Sequence, residues 1–549
     1  MFAAVSFSPT QMPRTFVSQG AITGASAAIG YALGTLLAVI IGAIARRATR
    51  HGADRGRAHP GNAPLHRWTW QLLGIGAIAV LGLGALAWPR WQDEQRALLA
   101  MEPTPAWWPL PMFVVALVSL VLLGMIGRLI GAGVLRLHRF SRRRLPGGLA
   151  TPFTVLVVIL LGGFLLRDVL GAWFVERTQD AFGTVDTSTD EGTLQPTTPL
   201  VSGSPESLIG WDTLGRQGRN FVAEATTLEL LAEFHGDDAS LAEPIRLYAG
   251  LRSADTAEER AGLILAELER TGAFEREVLI VTTVTGTGWV DPDAARAIEM
   301  LHRGDTAMVG IQYSYLPSWI STLVDDGRSA EAGRVLFDTV HAAWSQLPPD
   351  ARPLLLVFGQ SLGSFGAEAA FTGTDTATSI AAMVGRTDGV LLTGPTNDNE
   401  LWQQLIEERD PTSPVWRPRL EGAVAGGEAV RFFNDADELA ELDPDWVGPR
   451  IVYVQHASDP VTFWAMDSLW KRAAWMERPR GPDVLTRGTW FPVVTWVQGV
   501  FDLTAGFGAP PGHGHDYRLA FAGAWSQIAP PEGWTSEDAR RLAEFLVDR

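Results

Sequence analysis

The residues best placed to do chemistry lie in Gly359-Gln360-Ser361-Leu362-Gly363, between the apolar run Leu354–Phe358 and the small-residue stretch Ser364-Phe365-Gly366-Ala367. A serine between glycines at this spacing, where a buried strand runs into a helix, reads as a nucleophile elbow. The turn is too tight for side chains beside the serine, and the helix start favours negative charge nearby. Ser361 is therefore the expected nucleophile, and attack on an acyl carbon the expected chemistry.

Such a serine needs a base, and the base an orienting acid; behind an elbow of this kind both follow the serine in the chain. Arg450–Gln455 reads as a late strand, and its exit turn His456-Ala457-Ser458-Asp459-Pro460 presents Asp459 where the acid belongs. Aspartate also starts Asp-Pro turns with no catalytic role. Asp388 and Asp398, near the preceding strand, are the rivals. After Asp459 the chain has two histidines, His513 and His515, in Pro511-Gly-His-Gly-His-Asp-Tyr517. His515 is the expected base, being nearer the following helical pattern; His513 is the alternative, and His456 reads as a supporting residue.

The oxyanion that forms on attack needs two backbone donors. One is Leu362, the residue after the nucleophile. The other is expected from Thr285-Gly-Thr-Gly-Trp-Val-Asp291, at Gly288 or Trp289, although glycine pairs also mark plain tight turns. The chain has no cysteine, so a thiolate nucleophile and a disulfide framework are excluded. His513-x-His515 has no third His or Cys nearby to complete a zinc set, so neither metal nor other cofactor is expected.

The elements that must position these residues follow from patterning. Short β-branched or apolar runs at 278–284, 308–313, 354–358, 389–392 and 451–455 alternate with helical patterns at 257–271, 293–303 and 330–347. That alternation predicts one α/β domain over 208–549, with a mainly parallel sheet and helices on both faces. An insertion at about 461–511 carries Trp464, Trp470, Trp475, Trp490 and Trp496. This density reads equally as core or as an apolar cap for an acyl chain.

Residues 1–177 differ in kind. Four stretches, about 20–45, 68–88, 107–135 and 149–175, are long and apolar enough to cross a bilayer, which predicts a four-helix transmembrane domain. Arg46, Arg47, Arg50, Arg55, Arg57 and Arg67 crowd the first loop, and Arg136, Arg139, Arg142, Arg143 and Arg144 the third. The positive-inside rule makes these loops cytoplasmic and puts the large domain outside the cytoplasm. Trp68, Trp88, Trp107, Trp108 and Trp173 suit the lipid–water boundaries. Gly20/Gly24, Gly30/Gly34 and Gly127/Gly131 read as close helix packing within one bundle rather than a dimer interface. Arg128 and Arg167–Asp168, near predicted helix ends, read as snorkelling anchors. Residues 178–207, rich in Thr, Ser, Pro, Gly and Asp, read as a linker.

The first 177 residues hold 17 Arg against 6 Asp and Glu, a balance of +11, which leaves −28 to the rest of a chain whose net charge is −17. A domain that acidic repels phosphate backbones, so no nucleic-acid partner is expected. Nothing in the sequence sets an oligomeric state.

The quoted motifs, with Ser8-Pro-Thr-Gln-Met-Pro-Arg-Thr15, Gly30-Tyr-Ala-Leu-Gly34, Trp211-Asp-Thr-Leu-Gly-Arg-Gln-Gly-Arg-Asn-Phe221 and Gln455-His-Ala-Ser-Asp-Pro-Val461, give the chain a family resemblance. It resembles the actinobacterial membrane α/β-hydrolases, which join an amino-terminal membrane domain to a carboxy-terminal catalytic domain. The resemblance implies a serine esterase of the bacterial plasma membrane and cell envelope; some similar proteins are associated with hydrolysing aminoacyl esters on lipids. The combined expectation is cleavage of an ester in a lipid or lipid-linked molecule beside the bilayer. The alternatives are acyl transfer by the same three residues and a non-catalytic binding module built on the same fold.

Overall fold

Seven strands make one wholly parallel sheet: β1 (Ile245–Ala249), β2 (Val278–Thr283), β3 (Thr306–Ile311), β4 (Leu354–Gln360), β5 (Gly389–Thr393), β6 (Val430–Phe433) and β7 (Arg450–Val454). Their spatial order is β1-β3-β2-β4-β5-β7-β6. The computed structural model describes the chain except residues 52–62, 147, 166–171, 237–239, 318–319, 322–326 and 548–549. Parallel strands are covered on both faces, which is why they read as continuous apolar runs; β1, β2, β3 and β5 are buried at every position. Helices Ala257–Thr271, Gly327–Trp344 and Leu362–Glu368 pack in one group. Pro292–Leu301, Ala436–Ala440, Phe521–Ile528 and Ser536–Val547 pack in another. The five expected strand runs all lie in the sheet. The patterning missed β1 and β6, the short strands at its two edges.

The chain divides into two compact units. One comprises Met1–Leu165, Trp464–Met476 and Pro482–Gly508; the other holds the sheet and comprises Leu166–Phe463, Glu477–Gly481 and Ala509–Arg549. The segment read as a linker belongs to the sheet unit. There Asp186 accepts the Arg216 N–H and the Gln312 amide, each at 3.2 Å, and Asp190 pairs with Arg216 at 2.6 Å.

In the other unit, the helices are α1 (Phe16–His51), α2 (Ala63–Leu98), α3 (Pro109–Arg144) and α4 (Ala150–Phe164). Among the described residues three spans, not four, are long and apolar enough to cross a membrane: Phe16–Gly42, Gly74–Leu98 and Pro109–Arg144. Of the fourth expected span, 149–175, the 15-residue α4 covers Ala150–Phe164, and residues 166–171 lie outside the described ones. Arg55, Arg57 and the Arg167–Asp168 pair lie outside the described residues.

Gly20 and Gly24 let α1 close on α3: a Cβ there would sit 2.6 Å from the Met112 carbonyl and 2.5 Å from that of Ala116. A Cβ on Gly34, Gly127 or Gly131 would meet no other element within 4 Å among the described residues, so close packing is seen at the first glycine pair and not at Gly127/Gly131. Trp88, expected at a lipid boundary, is fully buried with Phe7, Ala85 and Met112.

Most of the Trp-rich insertion folds with these helices. Its helix Val494–Gly506 packs on α1. Gln498 donates to the carbonyls of Ser6 and Ser8, each at 3.0 Å, and Asp502 pairs with the buried Arg14 at 3.5 Å. The Arg14 guanidinium also reaches the Ser6 carbonyl at 3.1 Å and Gln19 Oε1 at 3.0 Å. The motif around Arg14 is thus a polar seam binding the N-terminal segment to the insertion.

Candidate active site

Strand β4 lies at the centre of the sheet, between β2 and β5, and its carboxyl end carries Ser361. This residue has φ 54° and ψ −127°, a conformation that costs a non-glycine residue roughly 1–3 kcal/mol and persists only where its surroundings enforce it. The flanking glycines show the enforcement. A Cβ on Gly359 would lie 2.5 Å from the Gly363 carbonyl, and one on Gly363 would lie 2.3 Å from the Thr283 carbonyl at the end of β2. The glycines let the helix Leu362–Glu368 fold back over its own strand and against β2. The Ser361 N–H donates to the Thr393 carbonyl at 2.9 Å. Its carbonyl accepts the Ser364 hydroxyl at 2.6 Å, and Ser364 Oγ in turn accepts the Asn399 amide at 3.1 Å.

Asp459 leaves β7 in a turn closed by its own N–H on the His456 carbonyl, and it is wholly buried. Its Oδ2 meets His515 Nδ1 at 2.7 Å. Of the two candidate bases, the structure brings His515 to the acid. Oδ2 also accepts the Tyr517 hydroxyl at 2.7 Å and the Thr462 hydroxyl at 3.3 Å, while Oδ1 accepts the Val461 N–H at 2.8 Å. Burial and the neighbouring carboxylate push the Tyr517 phenol well above its ordinary range, so it remains a donor. His456 is a support, as expected: it stacks on Tyr517 at 4.3 Å and binds the Gly514 carbonyl through Nδ1 at 3.0 Å. Of the rivals, Asp398 is exposed. Asp388 accepts the Leu355 N–H at 2.8 Å, at the amino ends of β4 and β5 and so at the opposite edge of the sheet.

Gly394 connects the two halves of the site. It directly follows Thr393, whose carbonyl holds Ser361, and a Cβ on it would fall 2.7 Å from His515 Cε1. Ser361 after β4, Gly394 after β5 and Asp459 after β7 thus lie at the carboxyl edge of the sheet, with His515 against Gly394 and on Asp459.

The loop after β2 is a closed turn. Gly288 donates its N–H to the Thr285 carbonyl at 2.8 Å, and Thr285 donates to the Trp289 carbonyl at 3.0 Å. The Gly288 carbonyl accepts the Tyr248 hydroxyl at 2.8 Å, and a Cβ on Gly288 would collide with that same hydroxyl. Gly288 is thus committed to the turn rather than to an oxyanion, because a glycine pair closes a turn as readily as it opens a donor. Leu362, first residue of the elbow helix, and Trp289 remain the candidate donors.

Two buried carboxyls surround the site. Asp291 ends the loop that carries Trp289, and Glu368 ends the elbow helix; burial above all pushes each up to about 7. Glu368 is held by the Tyr453 hydroxyl at 2.8 Å and the Leu401 N–H at 3.2 Å. Sequence reading missed Tyr517, Gly394, Ser364 and Asn399 as parts of the site. Only Tyr517 carried a usable signal, its place two residues after the expected base.

Two family models match the chain: one described as the alpha/beta-hydrolase family, over residues 245–542, and one as the N-terminus of an alpha/beta-hydrolase family, over residues 7–225. No curated protein and no solved structure matches it. The first match takes in the elbow, the turn of Asp459 and the loop of His515, and the chain accordingly belongs to this alpha/beta-hydrolase family.

Proposed function

We propose that the chain is a membrane-anchored serine hydrolase that cleaves an ester through an acyl-enzyme. The observation that carries this reading is the buried 2.7 Å contact of His515 Nδ1 with Asp459 Oδ2, on a histidine that lies against Gly394 beside the elbow of Ser361. Asp459 fixes the imidazole with Nδ1 protonated, leaving Nε2 to take the Ser361 proton as Oγ attacks the ester carbonyl. The N–H groups of Leu362 and Trp289 hold the oxyanion, a role for which one donor is worth about 3 kcal/mol. The protonated His515 then gives its proton to the leaving alcohol, and water, activated by the same base, releases the acyl group.

The substrate class is a lipid or lipid-linked ester. Three helices that can cross a bilayer anchor the chain to the surface where such esters reside. The test is a fluorophosphonate probe on the purified full-length protein, comparing wild type with Ser361→Ala, His515→Ala and His513→Ala. Labelling is expected in wild type and His513→Ala, and not in the other two. A folded wild type that never labels would overturn the reading.

A further inference from the structure

The Leu362 N–H that is to receive the oxyanion belongs to the peptide group between Ser361 and Leu362. Leu362 is the first residue of its helix, so this N–H has no acceptor within the helix. The other end of the same peptide group is the Ser361 carbonyl. A peptide group is planar and trans, so its C=O and N–H point in opposite directions, and whatever fixes the carbonyl aims the N–H. Ser361 is at φ 54° and ψ −127°, and it keeps that plane only where its neighbours enforce it.

Two donors hold the carbonyl. It accepts the Ser364 N–H at 2.9 Å and the Ser364 hydroxyl at 2.6 Å. The direction of the hydroxyl bond is set from behind. Asn399 Oδ1 accepts the N–H and the hydroxyl of Thr396, at 3.0 and 2.8 Å. The atom that Asn399 turns to Ser364 Oγ, at 3.1 Å, is therefore the donor nitrogen. Ser364 Oγ thus accepts from Asn399 and has one proton to give, which goes to the Ser361 carbonyl. Ser364 and Asn399 are both fully buried, so bulk water competes for neither bond.

We propose that Ser364 is a positioning residue for the hydrolysis: its hydroxyl, directed by Asn399, aims and polarises the one peptide group whose N–H receives the oxyanion. The inference rests on the serine-hydrolase reading above. Hydrogen bonds in a chain strengthen one another by about 10–30% per bond, so a donor on the carbonyl makes the N–H opposite a better donor as well as a fixed one. The next peptide group supplies the comparison. The Leu362 carbonyl accepts the Ser329 hydroxyl at 2.9 Å, and Ser329 is also fully buried. That carbonyl shares its peptide with the Gly363 N–H. The two serines make the same kind of bond to the same turn of helix, Ser364 on the oxyanion peptide and Ser329 on its neighbour.

The test is fluorophosphonate labelling of the full-length protein, resolved into maximal rate, half-saturating probe concentration and final extent, in wild type, Ser364→Ala, Asn399→Asp and Ser329→Ala. Removing an oxyanion donor outright costs about 100-fold or more; Ser364→Ala keeps the donor but loosens it, so its maximal rate should fall about tenfold. Half-saturation and final extent should stay as in wild type, because neither the binding of the probe nor the folded fraction depends on that hydroxyl. Asn399→Asp keeps the oxygen that Thr396 uses and turns the donor into an acceptor, which draws the Ser364 hydroxyl off the carbonyl. It should be slowed at least as much, and it decides the matter if Ser364→Ala does not fold. Ser329→Ala should stay within about threefold of the wild-type rate. Ser364→Ala or Asn399→Asp within about twofold of wild type overturns the proposal while leaving the serine-hydrolase reading intact. Ser364→Ala and Ser329→Ala slowed alike, or a loss of final extent in place of rate, makes Ser364 a plain packing contact and also overturns it. A wild type that never labels removes both.

Discussion

Gly394→Ala tests whether the imidazole of His515 is held in one place by contact with the backbone. The added methyl would stand 2.7 Å from His515 Cε1, 3.0 Å from its Nδ1 and 2.6 Å from Tyr517 Cε2. Ordinary contact begins near 3.4 Å, so the imidazole must retreat by about 0.7 Å, a distance on the scale at which misplacement costs about 100-fold in rate. Neither ring has slack, since both hold Asp459 Oδ2 at 2.7 Å and Tyr517 is stacked on His456. Gly394 also has φ +52°; alanine there costs roughly 1–2 kcal/mol before any clash, and overpacking adds about 1–3 kcal/mol. The expected result is a stability loss of roughly 2–5 kcal/mol with a labelling rate down on the order of 100-fold. Gly422→Ala is the control, because Gly422 has φ +74° and a Cβ there would meet nothing within 4 Å among the described residues; it should lose roughly 1–2 kcal/mol and keep its rate. Denaturant unfolding and second-order labelling, measured on the same preparations, separate the two effects. A folded Gly394→Ala that labels within about threefold of wild type would refute the reasoning.

Three further outcomes follow from the same geometry. Tyr517→Phe removes a donor from Asp459 and should cost about 1.5–3 kcal/mol, the range for hydrogen bonds to charged groups, with a lower kcat and little change in KM on a soluble ester; an unchanged kcat would count against it. Glu368→Gln should flatten the pH dependence of stability. Burial raises that carboxyl to about 7, so the stability linked to its proton is full below the ordinary carboxylate range and is lost as pH rises through about 7. Unfolding free energies from urea titrations at about pH 5 and about pH 8.5 should converge by on the order of 3 kcal/mol in the variant. Arg14→Met leaves Asp502 buried without its partner and should cost about 3–5 kcal/mol. Arg14→Met with Asp502→Leu should recover part of that loss in thermal unfolding, and a double variant no better than the single would refute the pairing.

What could be read from the sequence divides by the range of the contacts involved. The elbow was legible because its glycines are required by clashes within five residues, as Gly359 against Gly363 shows. The central strands were legible because burial on both faces leaves unbroken apolar runs. The edge strands β1 and β6 each carry an arginine at their second position, Arg246 and Arg431, which breaks the apolar run, whereas the equally short β5 is unbroken. The choice between His513 and His515 was open because it is set by backbone direction. Gly512 and Gly514, at φ +81° and +54°, turn the loop so that the second histidine faces Asp459. Tyr517 and Gly394 escaped notice because their roles exist only once β5, the turn after β7 and the last loop meet. Of the fourth expected span, α4 accounts for 15 described residues, and residues 166–171 lie outside the described ones.

The Trp-rich insertion shows how far the two parts of the chain depend on each other. Apart from Glu477–Gly481, it lies outside the sheet unit from just after Phe463, four residues past Asp459, to just before Ala509, six before His515. Its tryptophans are half-buried apart from the exposed Trp470: Trp464 and Trp496 lie 6.0 Å apart, and the Trp490 indole donates to the Ser468 carbonyl at 3.0 Å. Gln498 and Asp502 take their partners from residues 6–14, which precede the first membrane-capable helix. A fragment cut at the Thr178–Ser207 segment would keep all three candidate catalytic residues. It would also strip the insertion of Arg14 and of the Ser6 and Ser8 carbonyls, leaving a buried carboxylate and amide with nothing to answer them, a loss of several kcal/mol. That loss would fall on the stretch of chain that joins the acid to the base. The N-terminal segment and its helices therefore complete the fold of a segment carried between two candidate catalytic residues.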